Sequence, residues 1–298
     1  FLGEFGATKE QINSASMTQG EKELSLNKAL EAGKTADIII FAMGEHTMQS
    51  GEAGSRTDIR LPEVQRKFIK EMVKLNKKNI LISLSGRPLI YTEEVNQMDA
   101  ILQVWFPGTE GGHAISDILF GDVNPSGRLS MSFPYHVGQL PIYYNEFKTG
   151  RPLNSTSHKG RFVTKYLDSP NAPLFPFGFG LSYSKVKYSK LTIDKQVMTD
   201  ELIAKITVSN ESGKETLETV QLYIQDVVGS VVRPVKELKK YKKIALLPNE
   251  SKVVEFHLKK EDLYYYTKSM EFSVESGEFI LFIGKNSEEC LSRSFKLL

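Results

Sequence analysis

The hydrophobic pattern of this chain changes period once, near residue 183, and that change limits what the chain can fold into. Before it, short apolar runs alternate with helical stripes. Ala36 to Met43 is an apolar run ended by Gly44, the pattern of a strand buried on both faces. Pro62 then stands where a helix would begin, and Val64, Phe68, Ile69, Met72, Val73 and Leu75 make one apolar stripe behind it. Asn79–Leu84 and Ala100–Phe106 predict two more strands, the first closed by Gly86-Arg87-Pro88. Gly111-Gly112 leads into a short helix over Ala114–Phe120, and residues 1–33 add a helical lead-in around Lys22 to Ala32. Strands alternating with helices imply an α/β domain over 34–134, mainly a parallel sheet flanked by helices.

After residue 183 the pattern is all-β. Leu202–Val208, Val220–Ile224, Val253–Leu258 and Phe279–Ile283 are short alternating runs separated by Asn210, Gly213, Pro248-Asn249 and Gly277. About seven such runs suggest an antiparallel sandwich over 183–298. The chain has a single cysteine, so the fibronectin type III-like version fits better than a disulfide-bridged one. Residues 135–182 differ from both halves. They are rich in Pro, Gly and aromatics, including Tyr143, Tyr144, Phe147, Phe162, Tyr166, Phe175, Phe177 and Phe179. Such a connection reads as a linker lying along the α/β domain.

Composition then excludes several function classes. A net charge of +2 over 298 residues gives no electrostatic case for nucleic acid. The lysines at 236, 239, 240, 242 and 243 alternate with Leu238, Tyr241 and Ile244, as on the wet face of a strand. No apolar run is long enough to span a bilayer and no signal peptide is visible. The lone Cys290, read as a buried inert thiol, fits a reducing compartment and tips the expectation toward the cytoplasm. No His, Cys and Asp cluster has metal-ligand spacing, and no cofactor is implied. Gly178-Phe179-Gly180 does not open a helix after a strand, so it is no phosphate loop. No Gly-x-Ser-x-Gly elbow is present.

In open α/β sheets, ligands bind beyond the carboxyl ends of the strands. The first such end runs from Gly44 to Asp58 and carries Glu45, His46, Glu52, Arg56 and Asp58 among glycines and hydroxyl residues. A carboxyl group here is a plausible proton donor. Nothing in the spacing chooses between Glu45 and Glu52, or anchors both as a catalytic pair.

The strings Met43-Gly44-Glu45 and Ser50-Gly-Glu-Ala-Gly-Ser-Arg-Thr-Asp-Ile59, with Leu61-Pro62, resemble the acid/base loop of family 3 glycoside hydrolases. Four further strings agree in order: Gly86–Leu89, Trp105–Gly112, Asp117–Leu129 and Pro176–Tyr183. The resemblance covers nearly the whole chain. It implies the C-terminal portion of a β-glucosidase-type enzyme, whose N-terminal (β/α)8 barrel carries an aspartate nucleophile and has no counterpart here. It further implies Glu52 as general acid/base in a retaining, double-displacement hydrolysis of terminal non-reducing β-D-glucosyl residues. Glu45 takes a supporting part. Read from their own positions, His46 inside the loop, Trp105 by stacking on a sugar ring, and Arg151, with Lys159, at the edge of a leaving-group subsite are candidate substrate contacts, and Glu45 and Arg56 join them. His113 has no catalytic part. The expected partners are a β-glucoside or β-gluco-oligosaccharide, the barrel of the same enzyme, and a second copy through exposed sandwich edges. A β-xylosidase or other exo-glycosidase of the family, and a non-catalytic carbohydrate-binding or scaffolding module, stay open as alternatives. The chain alone is expected to be inactive.

Overall fold

The computed structural model describes residues 19–153 and 160–298, so most of the lead-in, residues 1–18, and Lys159 lie outside the described residues. Two compact units divide the chain: Phe1–Ser116 with Pro134–Leu140, and Asp117–Phe133 with Pro141–Leu298.

In the first unit, helix α1 (Gln19–Thr35) precedes strand β1 (Ile38–Gly44), and helix α2 (Glu63–Met72) joins it to β2 (Lys78–Leu84). Strand β3 (Ala100–Gln103) follows, then helix α3 (Gly111–Phe120), whose last four residues, Asp117–Phe120, are grouped with the second unit. The three strands form a parallel sheet in the order β1-β2-β3; α2 makes the first crossover, whereas the second, from β2 to β3, contains only the 3-10 turn Glu94–Asn96. Ile69 and Met72 of α2 are buried, and Phe68 meets Phe41 of β1 edge-on at 6.4 Å. Contrary to the expectation from its apolar run, β1 is not buried on both faces, because Ile38 and Ile40 are 51% and 49% exposed. The strand lies at the sheet edge, where only one face meets α2.

The strands of the second unit are β4 (Val186–Ile193), β5 (Val197–Met198), β6 (Glu201–Asn210), β7 (Thr216–Asp226), β8 (Glu237–Leu246), β9 (Ser251–Lys259), β10 (Tyr265–Tyr266), β11 (Phe272–Ser273), β12 (Gly277–Gly284) and β13 (Cys290–Leu297). They form a sandwich of two sheets, β5-β13-β12-β7-β8 and β4-β6-β9, with β10 and β11 as a separate pair. Leu202, Ala204, Ile206 and Val208 alternate inward on β6, and face Val220, Leu222 and Ile224 of β7 with Leu281 and Ile283 of β12. On β8 the alternation differs from expectation. Tyr241 points outward at 67% exposure, while Lys240 pairs with Asp262 and Lys242 lies over the Phe256 ring. A register shift opposite Leu222/Tyr223 moves the strand out of strict period.

The linker also departs from the expectation that it lies along the α/β domain. Apart from Pro134–Leu140 it groups with the sandwich. Tyr144 and Phe177 stack at 4.2 Å, and Tyr144 meets Tyr223 of β7 at 5.8 Å. Gln221 donates to Gly178 O, and Arg128 pairs with the buried Glu218, which also accepts from Tyr188. These aromatics cover the outer face of β7, which explains why Gln221 and Tyr223 are buried although they point away from the core.

Candidate active site

Parallel neighbours in register bring their carboxyl ends to the same level. Gly44 lies opposite Leu84, and Glu45 N continues the ladder by donating to Leu84 O at 2.8 Å. The loop after β1 (residues 45–58) therefore sits beside the turn after β2 (residues 85–88). Gly44 is required at this junction, because a Cβ there would lie 1.7 Å from Leu84 O. Gln65 of α2 closes the strand end from below: its amide accepts from Gly44 N and donates to Gly44 O, both at 3.0 Å. A buried glutamine is tolerated because both of its polar ends are satisfied.

Glu45 leads into the buried base of the loop. Its carboxylate is 1% exposed by residue and accepts from Arg56 Nη1 at 2.7 Å and Arg87 Nε at 3.1 to 3.2 Å. Burying an unpaired carboxylate costs several kcal/mol, so the two guanidinium groups are what make this position tenable. Arg56 Nη2 also donates to Arg60 O at 3.0 Å. Arg87 Nη2 reaches across the loop to Gln49 O at 2.5 Å and Gly54 O at 2.6 Å. Glu45 thus serves as an electrostatic anchor beneath the loop.

His46 caps the 3-10 turn Thr47–Gln49: Met48 N donates to its Nδ1 at 3.1 Å, and His46 N donates to Gln49 Oε1 at 2.9 Å. That bond assigns the ring proton to Nε2, which is buried without a hydrogen-bond partner among the described residues. Glu52 lies at the exposed apex of the lobe between Gln49 and Gly54, where Gly51 and Ala53 take left-handed conformations with φ of 88° and 59°. Farther along the loop, Arg60 grips Asp58 through Nε and Nη2, and that contact holds the Asp58 carboxyl well below the usual carboxylate range.

The remaining candidates fall in different places. Trp105 follows β3, is half-buried, and has a left-handed backbone with φ of 55°, strained for so bulky a side chain. Its neighbour Phe106 is 53% exposed and leans on Gly86, where a Cβ would meet both Phe106 and Ser50 Oγ. Arg151 is exposed and belongs to the second unit. Among the described residues, no group of three or more His, Cys, Asp or Glu is set to hold a metal ion, and no helix is long and apolar enough to cross a membrane.

Sequence reasoning gave Arg87 no role beyond membership of a motif, and missed Gln65 and the support behind Arg87. Ser85 Oγ donates to Arg87 O at 2.8 Å, and Gln103 of β3 donates to Ser85 Oγ at 3.0 Å. Gln103 in turn accepts from Tyr91 OH, which also contacts Ser83 and whose burial pushes its phenol up. The available signal was positional: polar residues at the ends of adjacent parallel strands.

Residues 5–183 match the Glycosyl hydrolase family 3 C-terminal domain, and residues 218–287 match a Fibronectin type III-like domain. A periplasmic beta-glucosidase of Salmonella typhimurium is 42% identical over 92% of this chain and 36% of its own length. A beta-xylosidase of Formosa agariphila is 36% identical over 88% of this chain and 35% of its own. The crystal structure of a beta-glucosidase from Listeria innocua in complex with glucose superposes with a TM-score of 0.88 at 38% identity, covering 95% of this chain and 39% of that one. The chain spans about a third of the length of the curated relatives it matches.

Proposed function

The chain belongs to glycoside hydrolase family 3, and from that premise we propose that it is the part of a retaining, exo-acting β-glucosidase that supplies the acid/base glutamate, Glu52, to a nucleophile on an upstream barrel. The observation that carries this reading is the contrast between the two loop glutamates. Glu45 is buried and held by Arg56 and Arg87, whereas Glu52 is exposed at the apex of the same loop with no ion pair among the described residues. A proton donor has to reach the glycosidic oxygen, and only the second carboxyl group is free to do so.

In this mechanism the barrel aspartate attacks the anomeric carbon while Glu52 protonates the departing oxygen. The resulting carboxylate then takes a proton from the water that cleaves the glycosyl-enzyme, giving net retention. Trp105, His46, Arg56 and Arg151 remain candidate sugar contacts. His46 and Arg56 would act mainly by shaping the loop they are bonded into.

The test is Glu52→Ala in the full-length enzyme. Hydrolysis of an aryl β-glucoside with a poor leaving group should fall by about 100-fold or more, and azide should restore turnover of an activated substrate as the β-glucosyl azide. An unchanged rate would remove Glu52 from the chemistry and favour the non-catalytic carbohydrate-binding reading. By the same logic the 298-residue chain alone should release no p-nitrophenol from its β-glucoside. A second reading, β-xylosidase, is favoured by the Formosa agariphila relative; the ratio of kcat/KM for β-glucoside over β-xyloside separates the two.

A further inference from the structure

We propose that Arg87 is the positioning residue for the acid/base glutamate: one guanidinium ties both limbs of the lobe that carries Glu52, and so sets where the proton donor stands. The proposal rests on the assignment of Glu52 above and deepens it.

The lobe is short, irregular and poorly supported from within. Between Gln49 and Gly54 the backbone bond of Gly54 N to Gly51 O, at 3.0 Å, spans only the outer turn, and two of the residues hold left-handed backbone conformations. Closure at the base comes from Arg87 Nη2, which donates to Gln49 O on the incoming limb and to Gly54 O on the outgoing one. A single nitrogen bonded to both limbs fixes their separation, and Glu52 is suspended between them.

The guanidinium is itself fixed from three directions. Its Nε edge faces the Glu45 carboxylate, which orients the plane of the fork. Arg56 holds the other side of that carboxylate, so the anchor cannot swing. The Arg87 backbone is pinned by Ser85, and Ser85 by Gln103 of the neighbouring strand. The chain of support runs from the sheet to the lobe without crossing solvent-exposed side chains. A lysine here would keep the positive charge but not the planar fork. Its ammonium has no second edge to hold against Glu45 while bridging the two carbonyl groups. Displacing a catalytic group by about 1 Å can cost roughly 100-fold in rate.

The experiment uses the full-length enzyme and three variants, Arg87→Lys, Ser85→Ala and Glu52→Gln, each assayed for kcat/KM on aryl β-glucosides graded from dinitrophenol to phenol leaving groups. A misplaced proton donor matters only where the departing oxygen needs a proton. Arg87→Lys should therefore lose about 100-fold on the phenyl glucoside and stay within about threefold of the parent on the dinitrophenyl glucoside. Combining it with Glu52→Gln should add nothing further on phenyl substrates, because the group being positioned is already gone. Ser85→Ala should give the same tilt on a smaller scale, and it carries the test if Arg87→Lys fails to fold. A loss equal for all leaving groups, or no loss, while Glu52→Gln shows the steep dependence, overturns the role of Arg87. A Glu52→Gln variant with no leaving-group dependence overturns the Glu52 assignment, and this proposal with it.

Discussion

Replacing Glu45 with glutamine keeps the shape of the side chain and removes the charge that faces Arg56 and Arg87. In the parent the carboxylate is fully buried, while the two guanidinium groups are 18% and 23% exposed and 2.7 and 3.1 Å away. At these distances each pair gains several kcal/mol of gross attraction near a protein surface, mostly offset by the cost of desolvation. Without the charge, two like-charged groups face each other over a neutral amide, whose NH2 in one orientation replaces the Oε2 that now accepts from Arg87 Nε. Removing one partner of a buried pair typically costs 3–5 kcal/mol. The partial exposure of both arginines puts the expected loss at the lower end, about 3 kcal/mol. For a unit of this size that lowers Tm by roughly 10 °C. Scanning calorimetry of the chain reads this directly, with the sandwich transition as internal reference. The loss should persist in 1 M salt, because buried pairs are screened little. The control Glu63→Gln breaks a pair whose side chains are 68% and 73% exposed, and it should leave Tm unchanged within error at low and at high salt. A Glu45→Gln chain within about 1 kcal/mol of the parent, or one rescued by salt, would refute the reasoning.

Two further outcomes follow from the same structure. Gly44→Ala places a Cβ against the Leu84 carbonyl, a backbone atom that cannot move without opening the β1–β2 ladder; the cost should exceed about 3 kcal/mol, read as loss of soluble folded chain. Cys290, read from the sequence as buried, is half-buried with its Sγ donating to Asn286 O; its thiol, pushed by desolvation from an ordinary 9.0 up to about 11, should react with iodoacetamide near pH 8 about 100-fold more slowly folded than unfolded, and a ratio under tenfold would refute that shielding. The folded chain opposes ionisation of this thiol, so stability is undiminished below pH 9 and falls as pH rises through 9 toward 11.

Local patterns settled much of this protein from sequence alone. The helical stripe behind Pro62, the apolar run at 79–84, and the alternation along β6, β7, β9 and β12 each depend on neighbours a few residues apart and appear as read, whereas the run at 100–106 pairs as a strand only over Ala100–Gln103 and leaves Trp105 and Phe106 beyond its end. The family motifs likewise marked the loop from Gly44 to Asp58. What periodicity could not reveal was which side each residue faces once elements pair. The Ile38 and Ile40 run looked doubly buried because composition does not say that a strand lies at a sheet edge. The linker aromatics looked like cover for the α/β domain, yet found their partners on β7. By spacing alone, without the family motif, Glu45 and Glu52 are indistinguishable, seven residues apart on one loop. Only the parallel pairing of β1 with β2, which carries Arg87 across 42 residues to Glu45, separates an anchoring carboxylate from an exposed one. Burial and ion pairing are properties of the assembled sheet, and no local window of sequence contains them.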